Sequence, residues 1–212
     1  MSRWQLALAL LAAAAYAALS HALMLNATAE PWAVAALLGP LLGVTGLVAW
    51  RGRQWGVLGG VGVAAAVLGG VVAQGGVEQV SRLYVLQHVG IHLALGAGFG
   101  LSLRDEVSLI GRVARTVHQE FTPALAGYTR GVTAAWTAYF FGMSALSLWV
   151  YAFGSWSAWS LLANVITPAA IGALFVGEHL LRYRLHPEFE RVSLAEAVRA
   201  YRRATAAQAV GR

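Results

Sequence analysis

The sequence predicts an all-α, polytopic membrane protein with six membrane-spanning helices. Of its 212 residues, 58% are hydrophobic and only 11% are charged, whereas a soluble domain carries roughly 25% charged residues. The charges are clustered between long apolar runs, and six of these runs can cross ~30 Å of hydrocarbon at about 1.5 Å per helical residue. Tryptophans stand at the ends of the runs, where interfacial anchors are common.

Short connections separate the six predicted spans. The spans are Trp4–Leu25, Trp32–Trp50, Trp55–Val77, Leu83–Leu103, Val132–Phe153 and Trp159–Leu181. The first one resembles a signal peptide, but its run of about 22 residues is longer than the usual apolar core of about 7–15 residues. We therefore expect it to remain in the protein as an uncleaved span.

The third predicted span is rich in glycine. Gly56 and Gly60 match the small-xxx-small pattern, which lets helix backbones approach closely. The pattern predicts that this helix is packed inside the bundle.

Arginine sets the predicted orientation. With both termini in the cytoplasm, fourteen arginines lie on the cytoplasmic side and only Arg82 lies outside, which is a strong positive-inside bias. All basic residues are arginine, which together with the abundant alanine and glycine indicates a GC-rich bacterial genome. We expect residues 1–184 to form a bundle in the bacterial inner membrane, followed by a cytoplasmic tail, 185–212. The predicted external loops are Asn26–Pro31, Glu78–Arg82 and Gly154–Ala158.

Several functional classes are disfavoured by the sequence. The net charge of +6 comes from arginines at the ends of apolar runs rather than from a basic patch, so nucleic-acid binding is not predicted. The chain has no cysteine, which excludes disulfides, thiolate metal sites and cysteine nucleophiles. It has no Gly-x-Ser-x-Gly, no His-Glu-x-x-His and no phosphate-binding glycine loop. No catalytic residue is predicted, and a non-enzymatic protein is favoured.

The predicted cytoplasmic loop, 104–131, contains an amphipathic pattern. Its apolar residues at helical spacing are Val107, Ile110, Val113 and Val117. They predict an interfacial helix on the inner membrane face, between the fourth and fifth spans. Thr122-Pro123 is typical of an N-cap followed by proline at the first helical position, so the fifth helix is expected to begin about ten residues before the membrane.

The tail carries a second amphipathic pattern. Ser193-Leu-Ala-Glu196 fits a capping box, and the residues after it place apolar and basic side chains on opposite faces. The pattern indicates either a helix on the membrane surface or a contact for a cytosolic partner protein within residues 193–212. The loop 104–131 is the other candidate contact for such a partner, besides the surrounding membrane lipids.

The fourth span contains two histidines, and ionisable side chains are costly and rare in the hydrocarbon layer. Residues four apart share one face of a helix. The stripe that this spacing predicts is Tyr84, His88, His92, Gly96 and Gly100. One half of the stripe is polar and the other is small, which is what a helix–helix contact in lipid requires. On this interpretation the histidines hold the bundle together through hydrogen bonds.

Two other interpretations of the histidines stay open. His88 and His92, at i and i+4, could chelate one metal ion, and a haem could be held with His21 of the first span, which lies at a similar depth to His88. Alternatively, a polar layer in the outer half of the membrane could bind a lipid, isoprenoid or quinone headgroup, or carry protons. That candidate layer is His21, Tyr84, His88, His92, Ser147 and Asn164. Pro168 lacks an N–H and is expected to free the carbonyl of Asn164.

A further candidate site lies at the inner end of the sixth span. Glu178 and Arg182 are four residues apart, a spacing that favours an ion pair on a helix. The pair either neutralises charge at the interface or forms part of a headgroup or partner contact. The residues of that candidate contact are Tyr128, Arg130, Glu178, His179 and Arg182.

Four further segments lie between about Leu86 and Arg203: Leu86-Gln-His-Val-Gly90, Tyr128-Thr-Arg-Gly-Val-Thr-Ala-Ala-Trp136, Phe175-Val-Gly-Glu-His-Leu-Leu-Arg182 and the tail segment Ser193–Arg203. On these segments the chain resembles an uncharacterised family of proteobacterial inner-membrane proteins. Some members of this family occur beside genes for aryl-polyene-type pigments. The resemblance therefore implies an accessory role in an envelope lipid or polyene pathway, and it brings no activity, cofactor or catalytic residue.

Three functions follow as expectations. The leading one is a non-enzymatic accessory or scaffold component of the inner membrane. The second is a binder or translocator of a lipid-like small molecule through the outer polar layer. The third is a haem- or metal-binding membrane subunit.

Overall fold

A computed structural model describes residues 3–28, 30–74, 77–118 and 120–187. Within these ranges every regular element is helical and no strand occurs, so the predicted all-α class is confirmed. The predicted tail helix after Ser193 lies outside the described residues.

The helices follow one another with short connections. They are α1 (Arg3–Asn26), α2 (Pro31–Arg51), α3 (Trp55–Gln74), α4 (Val77–Ser102), α5 (Leu109–Val117), α6 (Pro123–Phe153), α7 (Trp156–Leu161) and α8 (Thr167–Leu185). A π-helical turn, Leu162–Ile166, joins α7 to α8.

Four helical stretches are long and apolar enough to cross a membrane. They are Pro31–Arg51, Trp55–Gln74, Val80–Ser102 and Trp156–Arg182. Many of their large apolar side chains are exposed on the protein, as expected of helices that face lipid. The chain therefore has the helices of an integral membrane protein.

The first and fifth predicted spans correspond to helices of a different character. In α1 the apolar stretch is Leu10–Asn26, which is shorter than the predicted span Trp4–Leu25. Helix α6 has 31 residues, and its tryptophans, tyrosines, serines and threonines lower its mean hydropathy, although no charged residue lies between Gly131 and Phe153. The count of six spans is therefore still a prediction.

Two predicted external loops are shorter than expected. Helix α4 begins at Val77, so Glu78 and Arg82 are helical and form an ion pair one turn apart, which supports the additional turn. Helix α7 begins at Trp156 because the Ser155 hydroxyl accepts a hydrogen bond from the Ala158 N–H at 3.1 Å.

The prediction that the third span is packed inside the bundle is wrong. Helix α3 has no buried residue, and a Cβ placed on Gly56 or Gly60 would meet nothing within 4 Å. Helix α2 packs against it, and at their connection Trp50 and Trp55 meet edge to face at 5.8 Å. Apolar side chains are as stable against lipid as against protein, so the glycine pattern alone does not require a partner helix.

The chain divides into two compact units. The N-terminal unit comprises Ala7–His88 and Ser147–Ile166, and the C-terminal unit comprises Met1–Leu6, Val89–Leu146 and Thr167–Arg212. The core of the C-terminal unit is aromatic: Trp136 and Phe140 are buried, and Phe99 contacts Phe140 at 5.3 Å between ring centroids.

Glycines bring α4 and α6 together within the C-terminal unit. A Cβ on Gly96 would lie 3.2 Å from the Phe141 ring, and one on Gly100 would lie 3.1 Å from the Thr137 methyl group. The predicted small half of the α4 stripe is therefore a close helix–helix contact. Gly98, on the same helix, has nothing within 4 Å of its Cβ position.

We expect Gly96→Leu to destabilise the protein by about 1–3 kcal/mol, because the new side chain must displace the Phe141 ring. Gly98→Leu is the matched control and should leave stability unchanged or raise it, since its site is open. Thermal unfolding of both variants in the same detergent measures the difference. Equal melting temperatures for the two variants would contradict the contact.

Candidate functional site

A hydrogen-bonded polar group joins α1 to α7 in the N-terminal unit. The Nδ1 atom of His21 lies 2.8 Å from the Ser160 hydroxyl. The Asn164 side-chain amide donates to the carbonyl of Ser160 at 3.0 Å and also contacts the Ser160 hydroxyl at 3.3 Å. The same amide reaches the Met24 sulfur at 3.1 Å. His21 and Asn164, which are 143 positions apart in the sequence, therefore share one serine.

A second group of the same kind joins α4, α6 and α7. The Nδ1 atom of His88 lies 3.1 Å from the Ser147 hydroxyl, and the indole N–H of Trp159 donates to that hydroxyl at 3.0 Å. Trp159 and Ser147 are both fully buried, and the His88 ring meets Trp159 edge to face at 5.9 Å. Each group thus pairs an imidazole with a serine that also receives an N–H.

Two stacked indoles connect these groups. The rings of Trp156 and Trp159 are stacked, with 5.0 Å between their centroids and an angle of 8° between their planes. The Trp156 N–H donates to the carbonyl of Met24 at 2.8 Å, which ties α7 to α1. On the other side, the Tyr84 ring lies 6.5 Å from Trp156.

The structure brings together most of the predicted polar layer. His21, Tyr84, His88, Ser147 and Asn164 all belong to the N-terminal unit and are linked through the contacts above. His92 belongs to the C-terminal unit, where it is buried against Tyr139 and Phe140.

Sequence reasoning missed three residues that hold the layer together: Ser160, Trp156 and Trp159. The two tryptophans were interpreted as interfacial anchors because they stand at the end of an apolar run. A signal for Ser160 was present, since it precedes Asn164 by one helical turn. The Trp159–Ser147 contact joins separate helices and has no local sequence signal.

The sixth predicted span contains a π-helical turn at this layer. Asn164 lies inside the turn Leu162–Ile166, and Pro168, which has no N–H, follows it. The wide turn therefore occurs where the helical ladder loses a donor. Such π-turns are frequent at functional sites.

The metal and haem interpretations gain no partner residues from the described part of the chain. Within those residues, no group of three or more His, Asp or Glu side chains is close enough to hold a metal ion. The Nδ1 atoms of His21 and His88 each face a serine hydroxyl. The interpretations themselves remain untested.

The segment between α4 and α6 is held by one arginine. Arg130, on the first turns of α6, donates through Nη1 to the carbonyl of Leu103 and through Nη2 to the carbonyls of Asp105, at 2.7 Å, and Glu106, at 3.2 Å. Its guanidinium therefore bonds three carbonyl groups within four residues of the connection. Arg130 was predicted to act with Tyr128 and Glu178, and its observed contacts with this segment were missed.

Hydroxyl groups attach α5 to the rest of the C-terminal unit. Ser108 caps α5 and accepts a hydrogen bond from the Thr133 hydroxyl at 3.1 Å. The Leu109 N–H donates to Ser102 at 3.0 Å. Gly111 is buried against Thr129, which a Cβ would approach to 3.2 Å. The amphipathic helix predicted in this loop is present, and Pro123 begins α6 with Thr122 accepting the Leu125 N–H at 3.3 Å.

A clamp of three side chains joins α6 to α8. Glu178 accepts hydrogen bonds from Nε and Nη2 of Arg182, both at 2.8 Å, and from the Tyr128 hydroxyl at 3.0 Å. Burial and the hydrogen bond to Glu178 raise the pKa of Tyr128 to about 12, so the phenol remains a donor at neutral pH. The predicted Glu178–Arg182 ion pair is therefore present, and Arg182 is already engaged in a bidentate contact. His179, by contrast, is exposed.

Comparisons with protein-family models, with curated proteins and with solved structures find no match to this chain. The function has to be inferred from the geometry.

We expect Ser147→Ala to lower stability by about 1–3 kcal/mol, because it removes the acceptor of the buried Trp159 N–H. Ser157→Ala, on an exposed position of α7, is the matched control. Thermal unfolding monitored by tryptophan fluorescence reports both. If both alanine variants unfold at the same temperature as the parent protein, the Ser147 hydroxyl does not stabilise the contact between these helices.

Proposed function

We propose that the protein is a non-enzymatic scaffold component of the bacterial inner membrane, with a preorganised cytoplasmic docking platform. The docking platform is the segment 103–122, comprising the α4–α5 connection, α5 and the residues up to the start of α6. A cytosolic or membrane partner protein binds there.

The proposed topology has six spans, which are the four strongly apolar stretches together with α1 and α6. Both termini are cytoplasmic in this topology. It is supported by the distribution of arginine, since fourteen of fifteen then lie on one side, including those of the docking platform. The same arrangement leaves the tail 193–212 on the platform's side, where it can provide a second partner contact.

The observation that carries the proposal is the set of three carbonyl contacts made by Arg130. A connecting segment needs no such bonds to join two helices, and exposed loops are usually mobile. Hydrogen bonds to a charged group contribute about 1.5–3 kcal/mol when they are shielded, and less at an exposed residue such as Arg130. Preorganisation of a loop lowers the entropic cost of binding a partner.

The charges of the docking platform favour a protein partner over an anionic membrane surface. Arg112 is paired with Asp105 at 3.2 Å, and Arg104 and Glu106 are both exposed. Val113 is exposed beside Arg112 on α5. A surface of mixed sign with an apolar centre is typical of protein contacts, whereas anionic lipid attracts clusters of one sign.

The family resemblance suggests the pathway in which the partner acts. It implies that the partner is a component of envelope lipid or polyene synthesis, and that this chain acts as its accessory subunit. Membrane lipids surround the exposed apolar faces of the helices.

We expect Arg130→Gln to speed amide exchange at Leu109, Ile110 and Gly111 by about tenfold, equivalent to roughly 1.4 kcal/mol. The reason is that the segment before α5 loses the hydrogen bonds that Arg130 donates to its carbonyl groups. Arg51→Gln is the control, since it removes the same charge from an exposed position of α2, outside the docking platform. Hydrogen–deuterium exchange of the purified protein measures both.

A photo-cross-linking residue at Val113 tests the docking itself in the producing cell. A specific cross-linked partner should appear in the parent chain and in Arg51→Gln, and should fall at least about fivefold in Arg130→Gln. The absence of a specific adduct in the parent chain, or an undiminished adduct in Arg130→Gln, would refute the scaffold proposal.

A further inference from the structure

Two buried hydroxyl groups in the N-terminal unit lack hydrogen-bond partners among the described residues. They are the phenol of Tyr84 and the hydroxyl of Ser20, each on a side chain that is only 2% exposed. Buried polar groups in proteins are nearly always satisfied, because an unsatisfied buried donor has lost its hydrogen bonds to water without replacement. Inside a membrane there is no bulk water to supply the missing partner.

The surroundings of Tyr84 differ from those of the other polar residues in the layer. His21, His88, Ser147 and Asn164 bond to one another or to neighbouring serines. The hydroxyl of Tyr84 belongs to the same layer, but it has no hydrogen-bond partner among the described residues. The Tyr84 ring lies against Trp156. Trp159 is fully buried, whereas Trp156 is only half-buried, so the exposed part of the Trp156 indole offers an apolar surface near the Tyr84 ring.

The chemistry of the layer restricts what can bind. Its described side chains are hydroxyl, imidazole, amide, indole and thioether groups, with no guanidinium and no carboxylate among them. Arg82, the nearest arginine along α4, is exposed and paired with Glu78. An anionic phosphate headgroup would find no counter-charge here, whereas a neutral carbonyl oxygen could accept a hydrogen bond from the Tyr84 hydroxyl.

We propose that the N-terminal unit binds a neutral, carbonyl-bearing amphiphile of the quinone or ester class, whose oxygen accepts a hydrogen bond from Tyr84 and whose apolar body lies against Trp156. The site uses none of the residues of the docking platform. It can therefore fail while the scaffold function stands, and the reverse also holds.

The experiment titrates the purified full chain in detergent with a decyl-substituted benzoquinone and, separately, with decylbenzene, which has the same chain and no carbonyl. Isothermal titration calorimetry gives the two affinities. The parent protein should bind the quinone saturably at one site and decylbenzene at least about fivefold more weakly, because decylbenzene cannot accept the hydrogen bond from Tyr84. Tyr84→Phe should weaken quinone binding about five- to tenfold.

Two control variants make the result decisive. Tyr16→Phe removes a phenol from an exposed position of α1 and should leave quinone binding unchanged. Gln79→Ala tests a polar side chain of the same helix as the partner of Tyr84. Equal binding of quinone and decylbenzene, or unchanged binding in Tyr84→Phe, would overturn the proposal. It would also be overturned if Tyr84→Phe and Gln79→Ala lowered the melting temperature equally without affecting binding.

Discussion

The structure depends on one constraint: a polar side chain on a helix surrounded by lipid has no bulk water to bond, so it needs another hydrogen-bond partner. Helix α4 places Tyr84 and its histidines along a single stripe, which winds slowly around the helix. In the N-terminal unit His88 lies within hydrogen-bond distance of Ser147, and the Tyr84 ring packs against Trp156. In the C-terminal unit Gly96 lies under the Phe141 ring, where a larger residue would not fit. The stripe therefore supplies both a hydrogen bond and close helix packing.

The same stripe explains why the histidines are better understood through their neighbours than as an isolated pair. Spacing alone left a structural role, a metal or haem site and a ligand-binding layer open. The contacts give each imidazole of the N-terminal unit a serine from another helix, and they place His92 among aromatic rings of the C-terminal unit. What remains available in the layer is the Tyr84 phenol, and this is why the ligand proposal rests on tyrosine.

Local patterns predicted much of this arrangement. Helical class, the start of α6 at Pro123 and the Glu178–Arg182 pair all follow from short-range spacing, so the sequence was sufficient for them. Contacts between distant helices were not accessible in this way, as the Trp159–Ser147 bond and the Arg130 carbonyl contacts illustrate. The packing of α3 was predicted wrongly because Gly56 and Gly60 permit a close helix contact without requiring one.

Site-directed spin labelling along α4 tests the central claim most directly, and the absence of cysteine makes single-cysteine variants straightforward. Nitroxides placed one at a time from residue 80 to residue 102 in lipid bilayers report collision with oxygen, which concentrates in the hydrocarbon. We expect minima at Tyr84, His88, His92, Gly96 and Gly100 and high values at exposed positions such as Leu86 and Leu93. This four-residue spacing is slightly longer than the helical period of about 3.6 residues, so the protected stripe winds slowly around the helix. Uniform accessibility, or minima at Leu86 and Leu93, would contradict it.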